Sequence, residues 1–231
     1  MIFTLLLAAS ASAFQAHHKS AVLDFEYKWP REASAIPALR RQLTAQMNHD
    51  RARYMKMAET DRAERGDHKF PFFRYSFSRV LNFGGRTRRL VSFADERNVF
   101  TGGAHGNPST RPLLWDLASN KTVNFSNLFV RSPKAILQPS YCRQLAGQRK
   151  QKTGTDEVMS MWEKCPDPLK LSIIPEDKDR DGRYETINVT ANPYDVGSYV
   201  EGYYIVQLPV TPALMNALKA KYRSSFEAQR Q

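Results

Sequence analysis

The chain has 231 residues, 34 of them Lys or Arg and 23 Asp or Glu, which leaves a net charge of +11 at neutral pH. That length allows one large domain or two small ones with a real core, and no repeat or low-complexity segment interrupts it. The basic balance favours anionic partners such as envelope polymers or lipid headgroups, whereas no nucleic-acid recognition motif accompanies it, so nucleic acid is not expected as a partner.

The first residues, Met1-Ile2-Phe3-Thr4-Leu5-Leu6-Leu7, open a short apolar run that ends in the Ala-x-Ala pair Ala11 and Ala13. This is the pattern of a secretory signal peptide cut after Ala13, although no Lys or Arg precedes the apolar run. The run is shorter than the ~20 apolar residues that span a bilayer, and no later segment reaches that length, so no transmembrane segment is expected. The expectation is a periplasmic or secreted protein with a signal peptide over 1–13, an N-terminal half over 14–110 and a C-terminal half over 111–231. His17 and His18 then fall in a flexible tail.

Ala21, Leu23, Phe25, Tyr27 and Trp29 alternate with other residues and predict a strand that ends at Pro30. Ile36, Leu39, Leu43, Met47, Tyr54 and Met57 then recur at helical spacing, broken only near Asp50, and predict an amphipathic helix from about Ser34 to Glu64. Gly66-Asp67 is its stop signal. Phe73, Tyr75, Phe77 and Arg79 alternate next, and Gly84-Gly85 reads as the turn of a hairpin that returns around 90–93. Short strands near 113–117 and 122–125 precede a helix that starts at Ser132-Pro133 and runs to about Lys150, kinked or interrupted at Pro139. A second hairpin pairs 169–174 with 185–191, a strand covers 203–209, and Thr211-Pro212 opens a final helix carrying Leu214, Leu218 and Tyr222. The fold class is α+β, a largely antiparallel sheet packed against about three helices.

Cys142 and Cys165 are the only cysteines, and an even count in an exported chain predicts a disulfide. Charge is uneven: residues 14–154 hold 25 basic and 11 acidic side chains, and residues 155–210 hold five basic and 11 acidic. Within the acidic segment, Asp177-Lys178-Asp179-Arg180-Asp181-Gly182-Arg183-Tyr184-Glu185 spaces its carboxylates as a calcium loop does. Asp177, Asp179, Asp181 and Glu185 are the candidate Ca²⁺ ligands; the other reading is a hairpin turn, which the same Asp/Gly composition favours. Tyr194, Asp195, Tyr199, Glu201 and Tyr203 form an aromatic and acidic cluster able to contact sugars or a basic protein, or else to pack a sheet. Nucleophile and phosphate-cradling motifs are absent, so no catalytic residue is assigned.

Gly102-Gly103-Ala104-His105-Gly106, the strand to Asp116, the Asn120-Lys121 turn and Asn127-Leu128-Phe129 together resemble a family of exported domains of unknown function. Pro193 to Gly202 resembles that family's second signature, and the likeness covers roughly residues 22–215. The same paired domains form the extracellular half of a lysozyme-sensing anti-sigma factor and accompany the catalytic domain of some peptidoglycan deacetylases. What the resemblance implies here is an α+β binding module of the envelope, with Gly102, Gly103, His105 and Gly106 as the family turn. Peptidoglycan, another anionic envelope polymer or a lysozyme-like protein are the implied partners. A basic lysozyme is repelled by the +11 chain at long range, an objection that the acidic segment softens. The rival class is a cell-wall hydrolase acting through His105 and nearby carboxylates.

Overall fold

The computed structural model describes residues 11–65 and 71–229; most of the expected signal peptide and the Gly66-Asp67 helix stop lie outside the described residues. The chain divides into two compact units, Met1–Leu81 with Val99–Gly106, and Asn82–Asn98 with Asn107–Gln231. Strands β1 (Phe14–Lys19), β2 (Leu23–Trp29), β3 (Tyr75–Arg86), β4 (Leu90–Phe100), β5 (Asn107–Asp116) and β6 (Lys121–Thr122) follow one another in that order in one sheet. Both β3 and β4 carry residues of each unit. The class is α+β, as the residue patterns predict.

In the first unit the short helix α1 (Arg31–Ser34) leads into α2 (Pro37–Arg65). Pairing of β2 with β3 is parallel, not antiparallel. The reason is the connection: 29 helical residues rise about 43 Å, enough to carry the chain back to the end of the sheet where β2 began. Leu39, Leu43 and Ala58 of α2 are fully buried, and Tyr54 packs on Phe77 at 4.7 Å while Phe77 stacks on Phe25 at 5.1 Å.

The break in the helical pattern at Asp50 has a cause. Arg79 points inward from β3, only 2% exposed, and donates to the Tyr27 hydroxyl and to Gln46 Oε1 at 2.8 Å. Tyr27 in turn donates to Asp50 Oδ2 at 3.1 Å. A buried guanidinium needs such partners, so a carboxylate occupies a position where an apolar side chain is expected.

His17 and His18 lie in β1, which pairs antiparallel with β2, rather than in a tail. Phe14 stacks on Trp29 at 3.8 Å, and His17 Nε2 meets Asp24 Oδ1 at 2.8 Å. Polar residues at alternate positions had hidden this edge strand.

The β3–β4 turn falls at Thr87-Arg88-Arg89 and not at the two glycines. Thr87 Oγ1 accepts from the N–H groups of Arg89 and Leu90 and closes it. Gly84 and Gly85 lie inside β3, where Ser92 Oγ and the Asp177 main chain respectively come too close for a side chain.

The second unit packs α3 (Lys134–Thr153) on an antiparallel sheet β7 (Ser172–Glu176), β8 (Thr186–Ala191) and β9 (Tyr204–Pro209), in that order. Every residue of β8 is buried. Its core joins Tyr141 and Leu145 of α3 to Ile187, Val189, Val206 and Leu208. The helix passes through Pro139 without interruption. The expected last helix is two short ones, α4 (Pro212–Ala217) and α5 (Ala220–Arg223), because Leu218 leaves helical geometry to pair with Phe129. Cys142 and Cys165 are disulfide-bonded, with Cα atoms 5.7 Å apart. Among the described residues no helix is long and apolar enough to cross a membrane.

Two buried phenols set a pH limit. Burial first, with Asp50 adding to it against Arg79, pushes Tyr27 up to about 12. Burial first, then the Glu201 carboxylate, pushes Tyr204 up to about 12. An unfolded phenol ionises near 10, so above that pH the unfolded chain gives up protons the folded one keeps. Stability is therefore complete below about pH 10 and falls as pH rises toward about 12. Phenolate absorbance from these groups should appear only together with loss of far-UV circular dichroism; their ionisation in a still-folded chain would refute the assignment.

Candidate functional site

The loop between β8 and β9 is fixed from inside. Asp195 Oδ2 accepts from Asn192 N at 2.7 Å, and Tyr194 N donates to Gly197 O at 3.1 Å. These bonds hold Tyr194 in the left-handed region at φ 74, which is rare for a bulky residue. Arg149 of α3, 8% exposed, donates through Nε and Nη2 to Val196 O at 3.2 and 2.6 Å. Lys152, one turn on, donates to Glu201 O at 2.8 Å and to Tyr203 O, and its ammonium lies 4.2 Å from the Tyr204 ring centre. The last turn of α3 thus supplies the cations that bind the loop's carbonyl groups.

Glu201 faces inward. Its Oε1 accepts from Ser198 N and Ser198 Oγ at 2.6 and 2.7 Å, and its Oε2 accepts from the Tyr204 hydroxyl. Burial opposes its ionisation, but the Tyr204 and Ser198 hydrogen bonds outweigh this and hold the carboxyl below the usual range. It is a positioning residue for the turn Tyr199–Glu201. Tyr203 is half-buried, and burial first raises its phenol against a bond with Thr110.

What the loop turns outward is aromatic. Tyr194 is 53% exposed, and its ring lies 5.8 Å from that of half-buried Tyr199. Trp162 Nε1 donates to Tyr194 O at 3.1 Å, so the segment closed by the disulfide reaches the same loop. Met159, Met161 and Val200 are exposed as well. The sequence reading passes over Met159, Met161, Trp162 and Arg149. Four apolar residues in the five positions Val158 to Trp162, between polar flanks, were the available signal.

The other two stretches differ. Asp177, Asp179 and Glu185 bring carboxylate oxygens within 4.8 Å of one another, and Asp179, Asp181 and Glu227 do likewise. The loop's own N–H groups already use them: Asp177 accepts from Asp181 N and Gly182 N, each at 3.0 Å, Asp181 accepts from Arg183 N, and Glu185 accepts from Lys178 N. Burial, then the neighbouring Asp181 and Glu185 charges, raise the Asp177 carboxyl despite those bonds.

The glycine turn is exposed throughout or nearly so, with Gly102 at φ 94 and Gly103 at φ 96. His105 Nδ1 lies 2.8 Å from Gly106 O. Among the described residues neither group of converging carboxylates includes His105.

Comparison with known proteins gives a fold and a likeness over part of the chain, not an activity. Residues 16–108 match a family model described as deacetylase PdaC. No curated protein matches the chain. A solved DUF3298 family member from Bacteroides fragilis superposes with a TM-score of 0.57 at 15% identity, covering 92% of this chain and 94% of its own. A DUF3298 family protein from Pseudomonas aeruginosa gives 0.53 at 14% identity, covering 94% and 96%. At such identities the likeness is one of fold. The chain thus carries a PdaC-like region at residues 16–108 within a fold shared with DUF3298 structures.

Proposed function

We propose that this protein is a non-catalytic binding module of the bacterial envelope, periplasmic or secreted, that takes cell-wall polymer on the tyrosine loop of its second unit. The observation that carries this reading is the Tyr194–Tyr199 pair: two rings 5.8 Å apart on a backbone already fixed by Arg149, Lys152 and Trp162. Rigid aromatic faces bind sugar rings at little entropic cost. The resemblance to domains that accompany peptidoglycan deacetylases, and the match to a family model described as a deacetylase, support the link to envelope material. The disulfide supports an oxidising compartment.

Retention on insoluble peptidoglycan tests the surface. Tyr194→Ala should lower retention about five-fold, since losing one stacked ring removes about 1 kcal/mol. Unchanged retention would remove the loop from the function. A lysozyme-like partner is the second reading, favoured by the acidic balance of residues 155–210. It predicts capture on immobilised lysozyme in place of peptidoglycan. Release of soluble product from peptidoglycan, lost in His105→Ala, would instead establish the hydrolase.

Calcium at Asp177, Asp179 and Glu185 is a separate proposal, supported by the convergence of their oxygens. Added CaCl₂ should then raise Tm, because a ligand of the native state stabilises it, and Asp179→Asn should abolish the rise. A Tm that CaCl₂ leaves unmoved makes the loop a hydrogen-bonded turn.

A further inference from the structure

We infer that the concavity beside the Phe125–Leu128 turn is a binding site for one N-acylated, uncharged sugar unit, distinct from the tyrosine loop. The concavity has a volume of about 350 Å³ and lies wholly within the second unit. Its size falls at the lower end for ligand pockets, which suits a single ring rather than a chain.

The lining is chemically unusual for this protein. A quarter of the chain is charged, yet no charged side chain lines the concavity. An ionic ligand meets no counter-ion in that lining, the nearby Lys219 ammonium being bonded to Asn127 O, and its desolvation is not compensated. Among the lining residues Leu114 and Ile173 are buried and form its floor with half-buried Leu171, and the exposed Asn124, Ser126 and Asn127 form its rim.

The rim's backbone is pinned while its side chains stay available. Val123 N donates to Leu114 O at 2.8 Å, Asn127 N to Asn124 O at 2.9 Å, and Lys219 Nζ to Asn127 O at 2.8 Å. Asn124 occupies the position that caps the turn, but its side chain makes no capping bond. Asn in that position ordinarily does cap, so here its amide is left for another partner. Two carboxamides and a hydroxyl therefore stand over an apolar floor.

An acetamide matches both layers. Its methyl group suits the floor, and its N–H and C=O each find a partner in a carboxamide, which donates and accepts. Ring hydroxyls suit Ser126. A free amino sugar brings a charge and no methyl, and a plain hexose brings neither methyl nor amide.

The test is a nuclear magnetic resonance titration of the full chain with N-acetylglucosamine, glucosamine and glucose. N-acetylglucosamine should saturate in the millimolar range and shift residues 123–127 and 169–173, with the other two at least ten-fold weaker. Asn124→Ala should weaken binding about five-fold, as loss of one hydrogen bond does. Ser126→Trp, an exposed substitution that fills the mouth, should abolish it, with near-UV circular dichroism unchanged as the check on folding. Tyr194→Ala should leave it intact, so this site stands or falls apart from the tyrosine loop. No saturable shift, equal binding of the three sugars, indifference to Ser126→Trp or loss in Tyr194→Ala would each overturn the proposal.

Discussion

Gly85→Ala should destabilise the protein by about 3 kcal/mol or more, lowering Tm by roughly 6–12 °C. A Cβ at Gly85 would lie 2.6 Å from Asp177 Cβ, 2.9 Å from Asp177 N and 3.0 Å from Tyr184 Cε1. Two of those atoms belong to the main chain or sit next to it and cannot swing aside. Asp177 N also donates to Gly84 O at 3.0 Å, so retreat would break a half-buried hydrogen bond. Backbone torsion adds to the cost, since φ is +153 at Gly85. Gly147→Ala is the matched control. Gly147 is an exposed residue of α3 with nothing within 4 Å of its would-be Cβ. Alanine there should stabilise by about 0.4–1 kcal/mol. Thermal melts of the two variants should move in opposite directions; a Gly85→Ala chain that melts like the wild type would contradict the close approach.

Removing the disulfide is the second large effect. Cys142→Ser with Cys165→Ser opens a loop of about 22 residues, which chain entropy values at about 3 kcal/mol. The core of the second unit draws on α3 through Leu137, Tyr141 and Leu145, none of which depends on the bond. The double variant should therefore fold and melt about 6–12 °C lower, given the usual scaling for a chain of this size. Reduction of the wild type should add about 2 Da and reproduce the same melt. An unchanged Tm on reduction would show that the link constrains nothing in the unfolded chain.

Much of the architecture was legible because its residues repeat at fixed periods. Leu23, Phe25, Tyr27 and Trp29 are buried at every second position, and Leu39 and Leu43 at helical spacing, as their pattern predicts. The element types hold for β2, α2, α3, β7, β8 and β9. Edge and turn chemistry was less readable. A strand such as β1, with His17 and Lys19 facing outward, has no unbroken apolar alternation, and its pairing to β2 comes from tertiary context. Two adjacent glycines mark a turn far more often than a close crossing, so Gly84-Gly85 pointed to the wrong place. The parallel β2–β3 pair follows from the length of α2, an inference open to the sequence once that helix is accepted.

The site divides in the same way. Tyr194 and Tyr199, two members of the aromatic and acidic cluster, lie with their rings 5.8 Å apart. Glu201 does not join them outside, because its carboxylate is held by Ser198 N, Ser198 Oγ and the Tyr204 hydroxyl, a capping role that its acidic character does not reveal. Arg149 went unnoticed for a physical reason: at helical spacing from Leu145 it occupies a core position, and charged residues there are read as solvated.

These links close into a ring. Cys142 is bonded to Cys165, three residues beyond Trp162; Trp162 holds Tyr194 O; two residues further on, Val196 O is held by Arg149; and Arg149 lies two turns along the helix from Cys142. A path that leaves α3 through sulfur returns to it through two hydrogen-bonded carbonyl groups, Tyr194 O and Val196 O. Any one cut frees the tyrosine loop on one side only, whereas an open chain of contacts would release it entirely. Single lesions should therefore leave the surface in place, because Lys152 still holds Glu201 O and Tyr203 O when any one of these links is cut.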